Sequence, residues 1–365
     1  MKKNIWIFGS RKGQTYDDNS KYLFEYAVEN LPMIDAFWIT RNTTVYEYLK
    51  NKNKPVLMYH GTDTKEIITN AQYAFINITY ADIGSKDLLQ NIKVIQLWHG
   101  TPMKKNNIAI FNEAYHFVSL ASLEFLTSQA LGTRELFDFK LTGYPRNDIL
   151  LDEDLTPSYL SSKTIQILKQ SNIISFLPTY NEEKDPNKQS SDKRGKYYNI
   201  WEGFDFQNFE EFLRTTNSIF IFKPHILQSI EDSHILQKMQ KSDKFILVDH
   251  TNPMEDIYEY LKYTDILLTD YSSVLFDFLL LEKPIIFTSF NLDDYLKKRG
   301  LRFDYHDITP GKKVCTWDET LKELKTLIID NIDTYKLQRM EVNHRFNYYK
   351  DINSSKRISQ LLLQD

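Results

Sequence analysis

Residues 265–287 read DILLTDYSSVLFDFLLLEKPIIF: a short apolar run closed by Asp270, two serines, an apolar stretch of helical length, and a Lys-Pro step into a second apolar run. Continuous apolar segments joined by a helix make neighbouring parallel strands, with the crossover helix covering one face of the sheet. The same rhythm extends in both directions. NIWIFGS, IDAFWIT, KPVLMYH, YAFINI and KVIQLWH alternate with helical patterns such as NSKYLFEYAVEN before residue 100, and IISFLPT, IFIFKPH and KFILVDH continue it after residue 170. Between the two series lies the polar segment LDEDLTPSYLSSK. The expectation is an α/β protein with two Rossmann-like, doubly wound parallel-sheet domains facing across a cleft. The first would span 1–150 and the second 151–340, with a charged helical tail, 341–365, packing across both lobes. A chain of 365 residues is long for one hydrophobic core and suits two.

Charge and composition narrow the partners. Lys and Arg number 45 against 49 Asp and Glu, a net charge of -4, so no global basic field invites nucleic acid. Any anion site must be local. The single cysteine, Cys315, excludes an internal disulfide framework and a cysteine-rich zinc site, and fits a reducing cytoplasm. The opening MKKNIWIFGS is too short in its apolar part for a signal peptide and reads as a first strand. No run reaches the roughly 18 apolar residues of a spanning helix. The stretch 111–132, FNEAYHFVSLASLEFLTSQALG, reads as an amphipathic helix, with core packing favoured over membrane contact. The polar stretch 181–199 reads as a loop beside the site.

Ligands of doubly wound sheets bind at the carboxyl ends of the strands. Five polar groups fall there: His99 after VIQLW, Tyr144 to Asp148 after FKLTG, Thr179 after IISFLP, His225 after IFIFKP, and Asp270 with Ser272 and Ser273 after DILLT. A helix opening at Ser272 and Ser273 offers free backbone N–H groups and two hydroxyls to a phosphate or diphosphate. The same serines suit plain N-capping. Lys223 and His225 in FKPH could neutralise a phosphoryl group, or be a surface lysine and a hydrogen-bonded histidine. His99 stands in a tight turn with Gly100, Thr101 and Pro102, followed by Lys104 and Lys105. A histidine so held can serve as general base toward a hydroxyl, or simply bond the backbone of its turn. Arg146 and Asn147 in GYPRND, and Arg11 and Lys12 after the first strand, are candidate phosphate or acceptor contacts with ordinary turn and loop readings beside them. No Gly-rich dinucleotide or P-loop motif accompanies these residues, and the histidines show no metal-ligand spacing.

Taken in order, QLWHGTPMKK, GYPRND, FLPTY, FKPH, TDYSSVLFDFLLLEKPIIF and YLKKRGLRFDY resemble the motifs of the CDP-glycerol glycerophosphotransferase family, enzymes that prime and polymerise teichoic acids and related capsule polymers. The resemblance runs from about residue 5 to 310. It implies a glycosyltransferase-B-like pair of lobes, with the CDP-glycerol donor held mainly by the C-terminal lobe and a glycerol-phosphate or lipid-linked acceptor approaching from the N-terminal one. It assigns the essential histidines to His99 and His225, as base and as stabiliser with Lys223 of the leaving CMP, in either order. Donor phosphates would lie against Ser272 and Ser273, with Asp270 orienting their turn, and Thr179 and Arg299 are further donor positions. Asn147 and Asp304 match motif positions with less defined roles. Arg11, Lys12, Lys104 and Lys105 would form a basic rim for a polyanionic acceptor. Two departures stand out: Tyr180 replaces a tryptophan of some relatives, and the extra N-terminal domain of the long polymerases is not seen. No cofactor is required by the motifs, and Mg2+ is compatible with a diphosphate donor. The competing readings are a CDP-ribitol transferase, a nucleotide-sugar glycosyltransferase or epimerase on the same fold, and a non-catalytic module that binds anionic polymer. The reaction implied places the protein in the cytoplasm, with peripheral contact at the inner face of the membrane.

Overall fold

The structure, a computed structural model, describes residues 4–105, 115–130, 139–179, 182–183, 196–197, 200–223, 234–249, 251–298 and 300–364. In the N-terminal lobe seven strands, β1 (Ile5–Phe8), β2 (Asp35–Thr40), β3 (Val56–Met58), β4 (Tyr73–Ile76), β5 (Lys93–Gln96), β6 (Phe117–Leu120) and β7 (Phe139–Leu141), form one sheet in the order β3-β2-β1-β4-β5-β6-β7. The chain continues through β8 (Asn172–Leu177), a small antiparallel pair of β9 (Glu182–Glu183) and β10 (Lys196–Tyr197), and then β11 (Ser218–Phe222), β12 (Phe245–Leu247), β13 (Ile266–Thr269), β14 (Ile285–Thr288) and β15 (Lys312–Val314). Its second sheet runs β12-β11-β8-β13-β14-β15. Every pairing within the two large sheets is parallel. Both orders reverse direction once, between β1 and β4 and between β8 and β13, which creates the two crevices where doubly wound sheets take ligands.

Alternation along each strand explains why both sheets are covered on both faces. Trp6 and Phe8 of β1 join Tyr73 and Phe75 of β4 in one core layer, while Ile5, Ile7, Ala74 and Ile76 face the opposite one. Phe8 stacks on Phe75 with ring centroids 4.5 Å apart. In the second lobe Ile219 and Ile221 of β11 enter one layer and Phe220 and Phe222 the other. Such strands are fully buried, so their sequences are continuously apolar rather than alternating with polar residues.

Residues 111–132 do not form the single amphipathic helix expected from their pattern. Positions 111–114 and 131–132 lie outside the described residues, Phe117–Leu120 is β6, and a short helix starts only at Leu123. Four residues, three of them apolar, fit a buried strand as well as a helix segment, and a place between β5 and β7 decided for the strand. Most of 181–199 also lies outside the described residues.

The lobes share their interior. Tyr22 belongs to a core layer of the C-terminal lobe and Met254 to one of the N-terminal lobe. The helix Lys336–Phe346 spans both, with Phe346 stacked on Phe276 at 4.2 Å and Arg345 held by Glu124 through contacts of 2.7 and 2.8 Å. The last helix, Ser354–Leu363, returns to the first lobe. There the backbone N–H groups of Ser354 and Ser355 donate to Asp148 at 2.9 Å each, and Ile358 and Leu362 enter the core.

At the centre of the contact, Lys21 of the helix Asp18–Asn30 is wholly buried and its ammonium lies 2.6 Å from Glu259 and 3.8 Å from Asp256, both of the other lobe. Glu259 also accepts hydrogen bonds from the backbone of Ser158, Tyr159 and Leu160. Burial alone would raise the Glu259 pKa, but Lys21 and these N–H donors outweigh it and hold the carboxyl below its ordinary value. Removing one partner from such a pair strands the other charge and costs about 3–5 kcal/mol. Lys21→Ala is therefore expected to lower the thermal unfolding midpoint clearly, as read by calorimetry, and an unchanged midpoint would refute the clamp. Because the Glu259 pKa is depressed, its contribution is full above the unfolded carboxyl pKa. It fades as pH falls through the lower, folded value.

Candidate active site

Between the lobes lies a cavity of about 350 Å³, within the range of small-molecule sites. Both switch points open into it. Arg11, Thr15, Asp17 and Asp18 follow β1, Ile78 follows β4 and His99 follows β5, while Leu177 ends β8 and Pro178 follows it, Lys223 follows β11, and Ser272, Ser273 and Val274 follow β13.

The turn carrying His99 is bent by unusual backbone. Trp98 adopts φ of 61° and Gly100 φ of 114°, conformations that a β-carbon disfavours and that a bulky residue seldom adopts. The surroundings hold the turn in place. Gln96 Oε1 accepts from the Trp98 N–H at 3.0 Å, and buried Asn19 donates its side-chain N–H to the Trp98 carbonyl at 2.8 Å. The imidazole is open to the cavity and packs against Trp98, ring centroids 4.4 Å apart. Desolvation by the surrounding walls pulls the His99 pKa below the ordinary 6.5. Asp18 opposes the shift and Arg146 adds to it. The ring is thus neutral at neutral pH, the form a general base needs.

Opposite, β13 ends at Asp270, whose carboxylate accepts from the N–H of Thr179 at 2.7 and 2.9 Å and of Tyr271 at 2.5 Å. Asp270 therefore ties the ends of β8 and β13 together, and its oxygens face backbone rather than the cavity. Tyr271 is clamped behind the turn, stacked on Tyr295 at 3.9 Å with its hydroxyl donating to Asn291 at 3.1 Å. Ser273 precedes the helix Val274–Phe278 without capping it through its side chain. Among the described residues the hydroxyls of Ser272 and Ser273 form no hydrogen bond, so both are available at the cavity wall. Lys223 is half-buried there, likewise without an ion-pair partner among the described residues. Burial, with Arg11 repelling it, lowers its pKa.

Sequence comparison then places the chain in a family. Residues 1–364 match the family described as CDP-glycerol:poly(glycerophosphate) glycerophosphotransferase. The chain belongs to this family. A teichoic acid glycerol-phosphate transferase of Staphylococcus aureus is 27% identical over 387 residues, covering 99% of this chain and 93% of the relative. A teichoic acid poly(glycerol phosphate) polymerase of Bacillus spizizenii is 29% identical, covering 99% and 92%. A poly(ribitol-phosphate) polymerase of the same organism is 26% identical over 89% of this chain, which spans about half (51%) of that relative. The solved wall teichoic acid polymerase TagF superposes with a TM-score of 0.72 at 21% identity, covering all of this chain and 89% of that one. A UDP-N-acetylglucosamine 2-epimerase of Listeria monocytogenes shares the fold at a TM-score of 0.57 and 13% identity.

Within this glycerophosphotransferase, the residues singled out from sequence separate into three groups. His99, Lys223, Ser272, Ser273, Arg11 and Arg146 line the cavity. His225 and Arg299 lie outside the described residues. The others are placed elsewhere. Lys104 pairs with Leu301 in an isolated bridge, and Lys105 donates its backbone N–H to the Gly300 carbonyl at 3.3 Å; neither is among the residues lining the cavity. Lys12 is exposed and its N–H is held by Asp82 at 2.9 Å, away from the cavity. Thr101 is buried, Thr179 orients its backbone to Asp270, and Asp304 caps the helix Tyr305–Ile308 by accepting from the His306 N–H at 2.8 Å. Asn147 donates to Asp277 at 3.1 Å. Arg146 does not present a free two-pronged fork to phosphate, because Nη1 is 2.8 Å from Asp18 and Nη2 2.6 Å from Asp277. Asp277 and Tyr258 were missed from sequence, and Asp18 and Asn19, which read there only as possible helix caps, were missed as partners of the site. An aspartate inside the apolar run VLFDFLLL was the available signal of a buried cation partner.

The lowered His99 pKa is directly measurable. In a 1H–13C NMR titration of the imidazole, the His99 Cε1 signal should move with a midpoint below 6.5, whereas a midpoint above it would contradict the desolvated setting.

Proposed function

We propose that this protein transfers glycerol phosphate from CDP-glycerol to a hydroxyl of a glycerol-phosphate or lipid-linked acceptor, releasing CMP, in the assembly of teichoic acid or a related capsule polymer. The reading is carried by one juxtaposition: the His99 imidazole and the unbonded hydroxyls of Ser272 and Ser273 meet in a single cavity between lobes. The family membership and the glycerol-phosphate transferase relatives support it.

In the transfer, the acceptor oxygen bonds to the glycerol-bearing phosphorus, the phosphorus–oxygen bond to CMP breaks, and the hydroxyl proton passes to His99. Such chemistry depends on positioning and charge neutralisation more than on covalent help. Ser272, Ser273 and the adjacent backbone N–H groups seat the diphosphate, and Lys223 stands against its growing negative charge. His225, two residues beyond Lys223, is assigned to the leaving group by its motif. The protein's own cations meet the diphosphate charge, so turnover without added metal is expected. Loss on chelation, restored by Mg2+, would give part of that role to a cation. A lipid-linked acceptor would bring the protein to the inner face of the membrane as a peripheral protein. Among the described residues no helix is long and apolar enough to cross a membrane.

The deciding assay offers CDP-glycerol and CDP-ribitol separately with short glycerol-phosphate acceptors and measures CMP and product length. CDP-glycerol should be the faster donor, and a preference for CDP-ribitol would move the reading to the ribitol branch represented among the relatives. His99→Ala should lower kcat on the order of 10² to 10⁴ with donor affinity retained. Near-normal turnover in the folded variant would remove His99 from the chemistry. Since the His99 pKa is lowered, kcat/KM should fall with acid as the pH drops through a midpoint below 6.5.

A further inference from the structure

Arg146 lines the cavity, yet its environment is not that of an anion ligand. It is buried to 4% exposure. Its Nη1 donates to Asp18 at 2.8 Å and its Nη2 to Asp277 at 2.6 Å, and its plane lies 4.6 Å from the Tyr258 ring centre. Asp277 is itself over-determined, accepting from Tyr258 Oη at 2.5 Å and from Asn147 Nδ2 at 3.1 Å. It sits four residues, about one helical turn, after Ser273. On the other side, the Arg146 backbone N–H donates to Asn19 at 3.1 Å, and Asn19 holds the Trp98 carbonyl. Gly100 closes the circuit: a β-carbon placed there would stand 2.6 Å from Arg146 Nη2 and 3.5 Å from Ser273 Oγ. The backbone just past His99 is therefore wedged between Arg146 and the serine turn.

We infer that Arg146, braced by Asp277, is a positioning residue that sets the separation between the His99 base and the phosphate seat at Ser272 and Ser273. This rests on the reaction proposed above. Four of its five N–H bonds are carried on the two Nη atoms facing carboxylates, and both carboxylates belong to segments that bear the site, one in each lobe. Among the described residues the Nε–H has no partner, and it belongs to a residue lining the cavity, which leaves one other role to be tested, direct contact with the donor phosphate.

The two roles separate in a donor-binding and partition experiment. Under the positioning role, Arg146→Lys and the milder Asp277→Asn keep the calorimetric Kd for CDP-glycerol within about twofold but lower kcat on the order of 10²-fold, the loss expected for a misplacement near 1 Å. CMP release should then exceed glycerol-phosphate transfer to acceptor, because water replaces the misaligned hydroxyl and yields CMP and free glycerol phosphate. A weakening of donor binding by tenfold or more, with CMP release still matched one to one by transfer, would overturn the inference and make Arg146 a phosphate ligand. Tyr258→Phe, which removes one donor to Asp277 and leaves the charges intact, is the variant to use if the others fail to fold. Its expected effect has the same direction and smaller size. The lobe geometry is read independently of activity by spin labels on exposed Cys315 and on an introduced Lys50→Cys in the first lobe. Loosening should broaden that distance distribution in Asp277→Asn, and an unchanged distribution would count against the clamp. A wild-type chain releasing no CMP from either donor would instead remove the functional reading, leaving the label distances to decide the clamp.

Discussion

Buried charge at the contact between the lobes governs the rest of the molecule. A lysine or arginine withdrawn from water must meet carboxylates, and those carboxylates must be hydrogen-bonded in turn, or burial costs several kcal/mol per ion. Lys21 finds Glu259 and Asp256 across the interface, and Arg146 finds Asp18 on its own side and Asp277 on the other. Neither set is complete within one lobe. Two sheets that could each have folded as an independent doubly wound domain are therefore committed to one relative placement. The cavity exists because of that placement. The C-terminal helices add to it from outside, since Arg345 reaches Glu124 and the start of the last helix reaches Asp148.

Much of the architecture was legible because it depends on local pattern. Apolar runs of strand length separated by helical ones give parallel sheets wherever they occur, and DILLTD, IFIFKP and VIQLW each supplied a strand followed by a polar group at its carboxyl end. The segment FVSL escaped because four residues carry too little periodicity to distinguish strand from helix. The site was legible only where a residue's role follows from its own position at a strand end. His99, Lys223, Ser272 and Ser273 are such residues. The failures share one physical cause: they concern what a side chain meets in a remote part of the chain. Arg146 looks like a phosphate fork until Asp18 and Asp277, 128 and 131 residues away, are brought against it.

The motif YLKKRGLRFDY shows the same division between chemistry and support. Its aromatic ends, Tyr295 and Tyr305, pack around Tyr271, and the Tyr305 hydroxyl donates to the Asp270 carbonyl at 3.3 Å. Asp270 in turn fixes the Thr179 and Tyr271 N–H groups. The serine turn is thus held from beneath by three tyrosines and a carboxylate, none of which needs to touch a ligand. A phosphate seat made of two short hydroxyl side chains gains little precision from those side chains. Its precision comes from the backbone on which they stand.

The opposite wall is built on the contrary principle. The His99 turn is not relaxed: a tryptophan at φ of 61° and a glycine at φ of 114° flank the imidazole, and such backbone persists only where neighbours over-determine it. Gln96 and Asn19 supply that determination from within the lobe, and Arg146 supplies it from the interface. The glycine is obligatory on two counts, its dihedral angle and the closeness of the guanidinium, so the motif's His-Gly pair reads as one device in which the second residue makes room for what positions the first. The walls around the imidazole, with the Arg146 charge adding to them, also lower its pKa. Position and basic form of His99 therefore arise from a single packing arrangement, and a change that opened the space around Gly100 would alter both together.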